Sequence, residues 1–473
     1  MSTKTSRRTK IIATLGPATE SPEMIEKMIN AGVNIFRLNM SHAVHDQVRA
    51  SVKTIREISH NSVTRVGIMM DSRGPEIRTG DIPKDLKLEA GQTIGLTVRG
   101  EKSAEEFSVD VNYDELVDDI RLGDVVMIDN GSIELKVEKK KHNQLVCKIL
   151  TPGTLKSRRH VNLPGVRVNL PSLTQQDKED IKLGIELGID WFAMSFVREP
   201  EDVRQLKAIL DYHNAPQKVI AKLEDQEGIR NLDDIIDAAD GIMVARGDLG
   251  IECPYEELPI IQRRMIKKCA QQGKPVIVAT HMLESMISSP SPTRAEITDI
   301  ANAVYEQADA IMLSGETSIG QYPVKCVEMM DRIARRIERS GGAGFYDDIK
   351  MESKFAKLVK SAAVLAEECE ADALLVFTSS GLIATNAARL RLVSCPIYAF
   401  SSEQNLLNQL PLYWGIQSSF LETSDDPEDN VSRAVTKLRD RGMLEIGNIV
   451  VAVTEVKIND RIVDTILMST VES

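Results

Sequence analysis

Lys218-Val219-Ile220-Ala221-Lys222-Leu223-Glu224 and Gly241-Ile242-Met243-Val244-Ala245-Arg246-Gly247-Asp248 carry the reading of the fold. Each is a short apolar run that ends in polar residues and leads into an amphipathic helical stretch. Outward from these two, the same rhythm recurs at 10–16, 33–39, 65–71, 189–196, 275–280 and 310–315, which makes eight strand–helix units. Strands that alternate with helices form a parallel sheet covered by helices. An open doubly wound sheet has the same local pattern, and the count of eight favours a (β/α)8 TIM barrel.

The rhythm breaks twice. Between Arg73 and Leu170 the helical periodicity stops, and short β-rich segments stand at 86–89, 93–98, 125–128, 133–137 and 145–149. Ala90-Gly91, Leu122-Gly123 and Asn130-Gly131 supply turns between them. This predicts a small β-barrel domain inserted after the third strand, over the barrel mouth, where it can serve as a lid. The second break, Ser340-Gly341-Gly342-Ala343-Gly344, is a flexible linker by composition. Beyond it, strands at 373–378, 396–400 and 449–454 alternate with helices at 354–368, 381–391 and 428–441. The expected domains are a catalytic barrel (1–72 and 170–340), a β lid (73–169) and a C-terminal α/β regulatory domain (341–473).

A net charge of −12 over 473 residues argues against a nucleic-acid partner, because phosphate backbones repel it. An acidic protein that handles small phosphates needs local cations instead. The six cysteines (Cys147, Cys253, Cys269, Cys326, Cys369, Cys395) include no Cys-x-x-Cys pair, which speaks against a zinc knuckle or disulfide scaffold and suits a reducing cytoplasm. Residues 1–10 are polar and basic, unlike a secretory signal, and no apolar run reaches membrane-spanning length, so no membrane partner is expected.

In a β/α barrel, chemistry sits at the C-terminal strand ends. There the chain places Arg37, Asn39, Met40, Ser41 and His42; Asp71, Ser72, Arg73 and Arg78; Lys222 and Glu224; Arg246, Gly247 and Asp248; Thr280 and His281; and Ser314 and Glu316. Alone, each polar residue past a strand reads as a solvated loop residue or a helix cap. Lys222 is harder to dismiss. Flanked by Val219, Ile220, Ala221 and Leu223, it either snorkels out or meets carboxylates. Strand alternation puts Lys222 and Glu224 on one face. Glu224 and Asp248 offer hard oxygens for Mg²⁺ or Mn²⁺. Arg37, Arg73, Arg78 and Lys222 are cations suited to phosphate. Asn39, Ser41, Asp71 and Ser72, with a single carboxylate, suit a monovalent cation. Metal plus Lys and Arg is the equipment of phosphoryl transfer. The P-loop pattern and the protein-kinase motifs are absent.

Together these stretches resemble the pyruvate kinase family. The matching segments, in order, are Thr14-Leu15-Gly16-Pro17-Ala18-Thr19, Arg37-Leu38-Asn39-Met40-Ser41-His42, Gly74-Pro75-Glu76-Ile77-Arg78, Val161-Asn162-Leu163-Pro164-Gly165, Lys222-Leu223-Glu224, Met243 to Gly250, Pro292-Thr293-Arg294-Ala295-Glu296 and Met312-Leu313-Ser314-Gly315-Glu316. The resemblance implies phosphoryl transfer from phosphoenolpyruvate to ADP, giving pyruvate and ATP, in a homotetramer. It implies that Arg37, Lys222 and Thr280 are catalytic and that Arg37, Lys222, Gly247, Asp248 and Thr280 bind substrate. It further implies Mg²⁺ on Glu224 and Asp248, K⁺ on Asn39, Ser41, Asp71 and Ser72, and nucleotide on Asn39, Met40, Ser41, His42, Arg78 and Arg159. A water near Thr280, Ser314 and Glu316 is the implied proton donor. Glu76, where other members carry Lys, implies K⁺ dependence.

The sequence also departs from the family pattern. Met40 and Ala43 replace Phe and Gly, Ser72 replaces Thr, His160 replaces a Gly, and His281 replaces a Gln, read here as a polar substitute at a subunit contact. Thr378-Ser379-Ser380-Gly381 resembles the family's nest for an effector phosphate. The Gly-rich loop that closes a sugar-phosphate site is missing, and the tail reads Val456-Lys457-Ile458-Asn459-Asp460-Arg461-Ile462, so the expectation is against fructose bisphosphate as effector. A metal-dependent aldolase or lyase, and a non-catalytic sensor of phosphorylated metabolites, are the competing readings. Neither needs the lid and the oxygen-rich cation group together with Lys222.

Overall fold

The computed structural model describes residues 7–472 except 42, 63, 102–104, 106, 347, 348, 350, 352, 425, 459 and 460. Eight strands, β1 (Lys10–Thr14), β2 (Ile35–Asn39), β3 (Gly67–Asp71), β4 (Trp191–Met194), β5 (Lys218–Leu223), β6 (Gly241–Ala245), β7 (Val276–Ala279) and β8 (Ala310–Leu313), close into one barrel. All neighbours are parallel, and β1 pairs with β8 to shut the ring.

Alternation along each strand separates two cores. Ile11, Ala13, Val219, Ala221, Val276 and Val278 pack outward beneath the helices. Ile12, Ile35, Met69, Ile220, Met243 and Ile277 fill the barrel interior. Lys222 shares the parity of Ile220, so it points inward as expected. The helices start on local signals: Thr174 with Asp177, and Thr293 with Glu296, form reciprocal capping boxes.

The chain leaves the barrel after β3 through Gly74. This residue has φ of +73°, and a Cβ there would come within 2.9 Å of the Ser195 Cβ, so glycine is required. The inserted segment builds a two-stranded sheet (Leu86–Leu88 with Gly153–Leu155) and a six-stranded sheet. The latter runs in the order Val161–Asn162, Val125–Ile128, Ile133–Lys141, Gln144–Ile149, Thr93–Val98, Phe107–Val111. Its core, including Ile94, Leu96, Val126 and Leu135, is its own. The strand at 107–111 alternates (Phe107, Val109, Val111) but is not among the expected segments, and those at 153–155 and 161–162 are too short to show a pattern.

The C-terminal α/β domain holds five strands in the order Ile416–Phe420, Ile397–Ser401, Ala373–Phe377, Ile449–Ile458, Arg461–Thr470. Only the last pair is antiparallel. Residues 456–462, read as a departure from the family loop, lie at the turn of this hairpin; Asn459 and Asp460 are outside the described residues.

The C-terminal domain closes the N-terminal end of the barrel. Leu410, Leu412, Tyr413 and Ile416 continue the interior core. Lys10, the first residue of β1, donates from Nζ to the Ile416 carbonyl at 2.5 Å. Asp309, just before β8, pairs with Arg391 at 2.7 Å and accepts from the Trp414 amide at 3.1 Å. Both side chains of that ion pair are under 5 % exposed. Removing one member of such a pair strands the other charge. Asp309→Ala should therefore lower unfolding free energy by about 3–5 kcal/mol, measured by chemical denaturation; a loss below roughly 1 kcal/mol would contradict a load-carrying seam.

Candidate active site

The C-terminal end of the barrel faces the inserted domain. On β5, the Lys222 ammonium lies 3.1 Å from Asp71 Oδ1, 3.0 Å from Glu224 Oε1 and 2.6 Å from Ser195 Oγ. Burial works to lower its pKa, but Asp71 and Glu224 outweigh burial and hold it above the ordinary lysine value. Of the two arrangements open to Lys222, snorkelling out or meeting carboxylates, the second is the one found.

Asp71 is engaged on both oxygens. Its Oδ2 accepts from Arg37 Nε at 2.6 Å, and Oδ1 faces Lys222. Burial pushes its pKa up, while Arg37 and Lys222 pull it down further, so it stays ionised. Arg37 also donates from Nη1 to Thr14 Oγ1 at 3.1 Å. Asn39 is the register partner of Asp71, its Oδ1 accepts from the Ser41 amide, and Ser72 Oγ accepts from the Ser195 amide. Asn39 and Asp71 are thus neighbours across β2 and β3, with Ser41 bonded to Asn39 and Ser72 to the Ser195 amide.

Glu224 and Asp248 form the second group. Glu224 is 3 % exposed, and its Oε2 accepts from the Phe196 amide at 2.7 Å. Burial raises its pKa, opposed by Lys222 and reinforced by the charge of Asp248. Burial raises Asp248 as well. Asp248 lies in the first turn of helix Arg246–Glu252, where the N-cap residue Ala245 has no side chain to cap with and the acidic group faces the positive end of the helix dipole. His160, from the inserted domain, brings Nδ1 to 3.6 Å from Asp248 Oδ1, and burial holds this imidazole below its ordinary pKa.

Two strand ends are strained, after β4 and after β7. Phe196, Thr280 and His281 adopt φ of +54°, +69° and +56°. For a β-branched residue such as Thr280 this costs of order 1–3 kcal/mol. Thr280 Oγ1 accepts from the Gly247 amide at 2.9 Å. Arg246 holds the turn by donating to the carbonyls of Ala279 (3.0 Å) and Thr280 (2.6 Å) while forking onto Asp299.

A profile described as "Pyruvate kinase, barrel domain" matches residues 6–327, and one described as "Pyruvate kinase, alpha/beta domain" matches 356–467. The chain belongs to the pyruvate kinase family. Its function is that of a pyruvate kinase. It is 41% identical over 444 residues to plastidial pyruvate kinase 3 of Arabidopsis thaliana, covering 93% of this chain and 77% of that one. It is 42% identical over 419 residues to a pyruvate kinase of Sporosarcina psychrophila, covering 87% of this chain and 71% of the relative. The crystal structure of a pyruvate kinase from Cryptosporidium parvum superposes with a TM-score of 0.92 at 33% identity, covering 99% of this chain and 97% of that one.

The other expected positions differ in what they offer a ligand. Met40 is buried in the outer core, so only its backbone faces the mouth. His42 lies outside the described residues. Arg78 donates to Glu76 Oε2 at 2.7 Å and to the Arg158 carbonyl at 2.9 Å, and Arg73 shares the same Glu76 oxygen. Arg159 reaches Asp129 at 3.3 Å. Glu316 is buried, accepting from the Ser314 and Leu283 amides at 2.7 and 2.9 Å, so it fastens the backbone around Ser314. In the C-terminal loop, Thr378 Oγ1 accepts from the Gly381 amide and Ser380 Oγ from the Leu382 amide, so these N–H groups close on the loop's own hydroxyls. Ser379 lies in the same loop and is exposed.

Ser195 and Arg246 are the residues the sequence reading missed. A serine past β4 carries no motif. Arg246 stood in the quoted stretch, but its role depends on Asp299, 53 residues away. Ser195→Ala should keep the fold and lower turnover roughly ten- to a hundredfold, the worth of one hydrogen bond to a charged group; unchanged turnover in a steady-state assay would remove Ser195 from the site.

Proposed function

We propose that this protein transfers the phosphoryl group of phosphoenolpyruvate to ADP, giving pyruvate and ATP, with Mg²⁺ (or Mn²⁺) and K⁺ as cofactors. The observation that carries the assignment of roles is the inward-facing Lys222, kept charged by Asp71 and Glu224 on the same rim as Arg37. Both substrates are anionic, so their approach needs fixed cations. Arg37 contacts the phosphoryl group; among the described residues its Nη2 has no protein partner. Lys222 stabilises the migrating phosphoryl and the enolate oxygen. The Gly247 amide and Thr280 hold the substrate carboxylate, which takes over the N–H now given to Thr280.

Glu224 and Asp248 fit a divalent cation: one is buried and the other part-exposed at the mouth, and a cation relieves the repulsion between these hard-oxygen donors. Mg²⁺ or Mn²⁺ there would neutralise phosphate and enolate charge. Asn39, Ser41, Asp71 and Ser72 fit K⁺ better than a second divalent ion, since they offer neutral oxygens and a single carboxylate. Asn39 to His42, Arg78 and Arg159 face the nucleotide. The proton that completes pyruvate comes through water beside Thr280, Ser314 and Glu316.

Our domain reading keeps the boundaries 1–72 with 170–340, 73–169 and 341–473. The inserted domain acts as a lid: His160 already reaches Asp248, and closure would exclude water. A phosphorylated effector at Thr378, Ser379, Ser380 and Gly381 would displace the loop's own hydroxyls. Among the described residues no helix is long and apolar enough to cross a membrane. We place the enzyme in the cytoplasm as a homotetramer, in glycolysis.

The test is a coupled assay of ADP-dependent pyruvate release. Turnover should require Mg²⁺ or Mn²⁺ and K⁺, because Glu76 stands where a fixed positive charge would replace the monovalent ion. Full activity in tetramethylammonium buffer refutes the K⁺ assignment. Lys222→Met should bind metal and substrate yet lose most turnover; near-normal turnover overturns the role of Lys222.

A further inference from the structure

Far from the barrel mouth, Leu421, Arg433, Thr436, Lys437, Asp440 and Arg441 line an open groove of about 380 Å³ on the C-terminal domain. Arg433 and Lys437 are one turn apart on helix Pro427–Asp440, and Arg441 follows one turn later at its end. Cations in the last turn complement the helix dipole, which is the ordinary reason for such residues. The dipole does not account for Arg65, which arrives from the barrel two residues before β3.

These charges oppose one another. Burial, Arg441 and Arg56 hold Arg65 below its ordinary pKa. Burial, Arg441, Arg65 and Arg433 do the same to Lys437. The nearby carboxylates Asp429 and Asp190 are taken by Arg433 at 3.4 Å and Arg56 at 2.9 Å, and Asp440, in the groove lining, forms no ion pair among the described residues. Lys437 Nζ donates to the Phe420 carbonyl at 2.5 Å, and Arg441 Nη1 to Ser419 Oγ at 3.4 Å. Among the described residues, Arg65, Lys437 and Arg441 have no ion pair. A chain of net charge −12 thus gathers unneutralised cations at one seam between two domains.

We propose that this groove binds an oxyanion of two or more negative charges, the chemistry of a phosphate or pyrophosphate group, between Lys437 and Arg441 of the C-terminal domain and Arg65 of the barrel. Guanidinium groups match the geometry of phosphate oxygens, and the Ser419 hydroxyl adds a neutral donor. The site is separate from the Thr378–Gly381 loop. It has a route to the chemistry: Arg65 leads into β3, whose last residue, Asp71, holds Arg37 and Lys222. An anion there would tie the C-terminal domain to the strand that positions the catalytic cations.

The test is calorimetric titration of the full chain with inorganic pyrophosphate, free of divalent metal, beside Arg441→Gln and Lys437→Gln. Arg441 is exposed, so its replacement preserves the fold and the basal turnover. Wild type should show a binding component that weakens about tenfold or more in both variants, the scale of a charge-assisted contact, and that survives in Lys437→Arg and in Ser380→Ala. Orthophosphate and a phosphate monoester, titrated in parallel, distinguish a free inorganic anion from the phosphate of an organic molecule. Isotherms identical for wild type and Arg441→Gln, or no binding in wild type, overturn the proposal.

Discussion

A lysine ammonium inside a barrel is tolerable only when opposite charges meet it, because taking a lone charge out of water costs several kcal/mol on an order-of-magnitude scale. Lys222 meets Asp71 and Glu224, and Ser195 completes its hydrogen bonding. That requirement reaches across the chain. Asp71 ends β3, Ser195 follows β4, and Lys222 lies on β5, so these three strands must be neighbours although about a hundred residues of inserted domain separate the first two in sequence. The register confirms the order: β3 pairs with β4, and β4 with β5. Arg37, on the next strand over, is held by the same Asp71.

The barrel's two ends divide the work. The N-terminal end is sealed by the C-terminal domain through apolar packing and the Arg391–Asp309 pair. At Gly67 the approach is so close that a Cβ would lie 2.6 Å from the Asn408 carbonyl. That seal frees the opposite end to carry groups that would destabilise a core: repelling carboxylates, and left-handed backbone at Phe196, Thr280 and His281. Strain of this kind persists where surrounding contacts over-determine it, and Arg246 supplies such contacts with four hydrogen bonds around one turn.

Much of this was legible in the chain. The eight barrel strands fall where β-branched runs end in polar residues, within two residues of expectation. The helix at Lys354–Glu368 coincides with its apolar periodicity. Strand Ile416–Phe420 did not announce itself, because Gln417, Ser418 and Ser419 break the apolar pattern and their places are set by neighbours in the sheet. The hairpin Ile449–Ile458 with Arg461–Thr470 was read only in its first half, since the second strand is an edge strand whose apolar residues do not alternate.

Sequence alone determined which residues could do chemistry: alternation set Lys222 and Glu224 on one inward face, and the barrel rule carried Arg37, Asp71 and Asp248 to the same rim. Both rules are local or topological, so composition and spacing suffice. Tertiary structure decided what each residue is engaged in. Asp71 is shared by two cations, Glu316 is turned onto the Leu283 amide, Ser195 is drawn to Lys222, and Arg246 props a strained turn through Asp299. Those outcomes depend on partners tens to hundreds of residues away, brought within about 3 Å by ring closure, the range in which hydrogen bonds and ion pairs act.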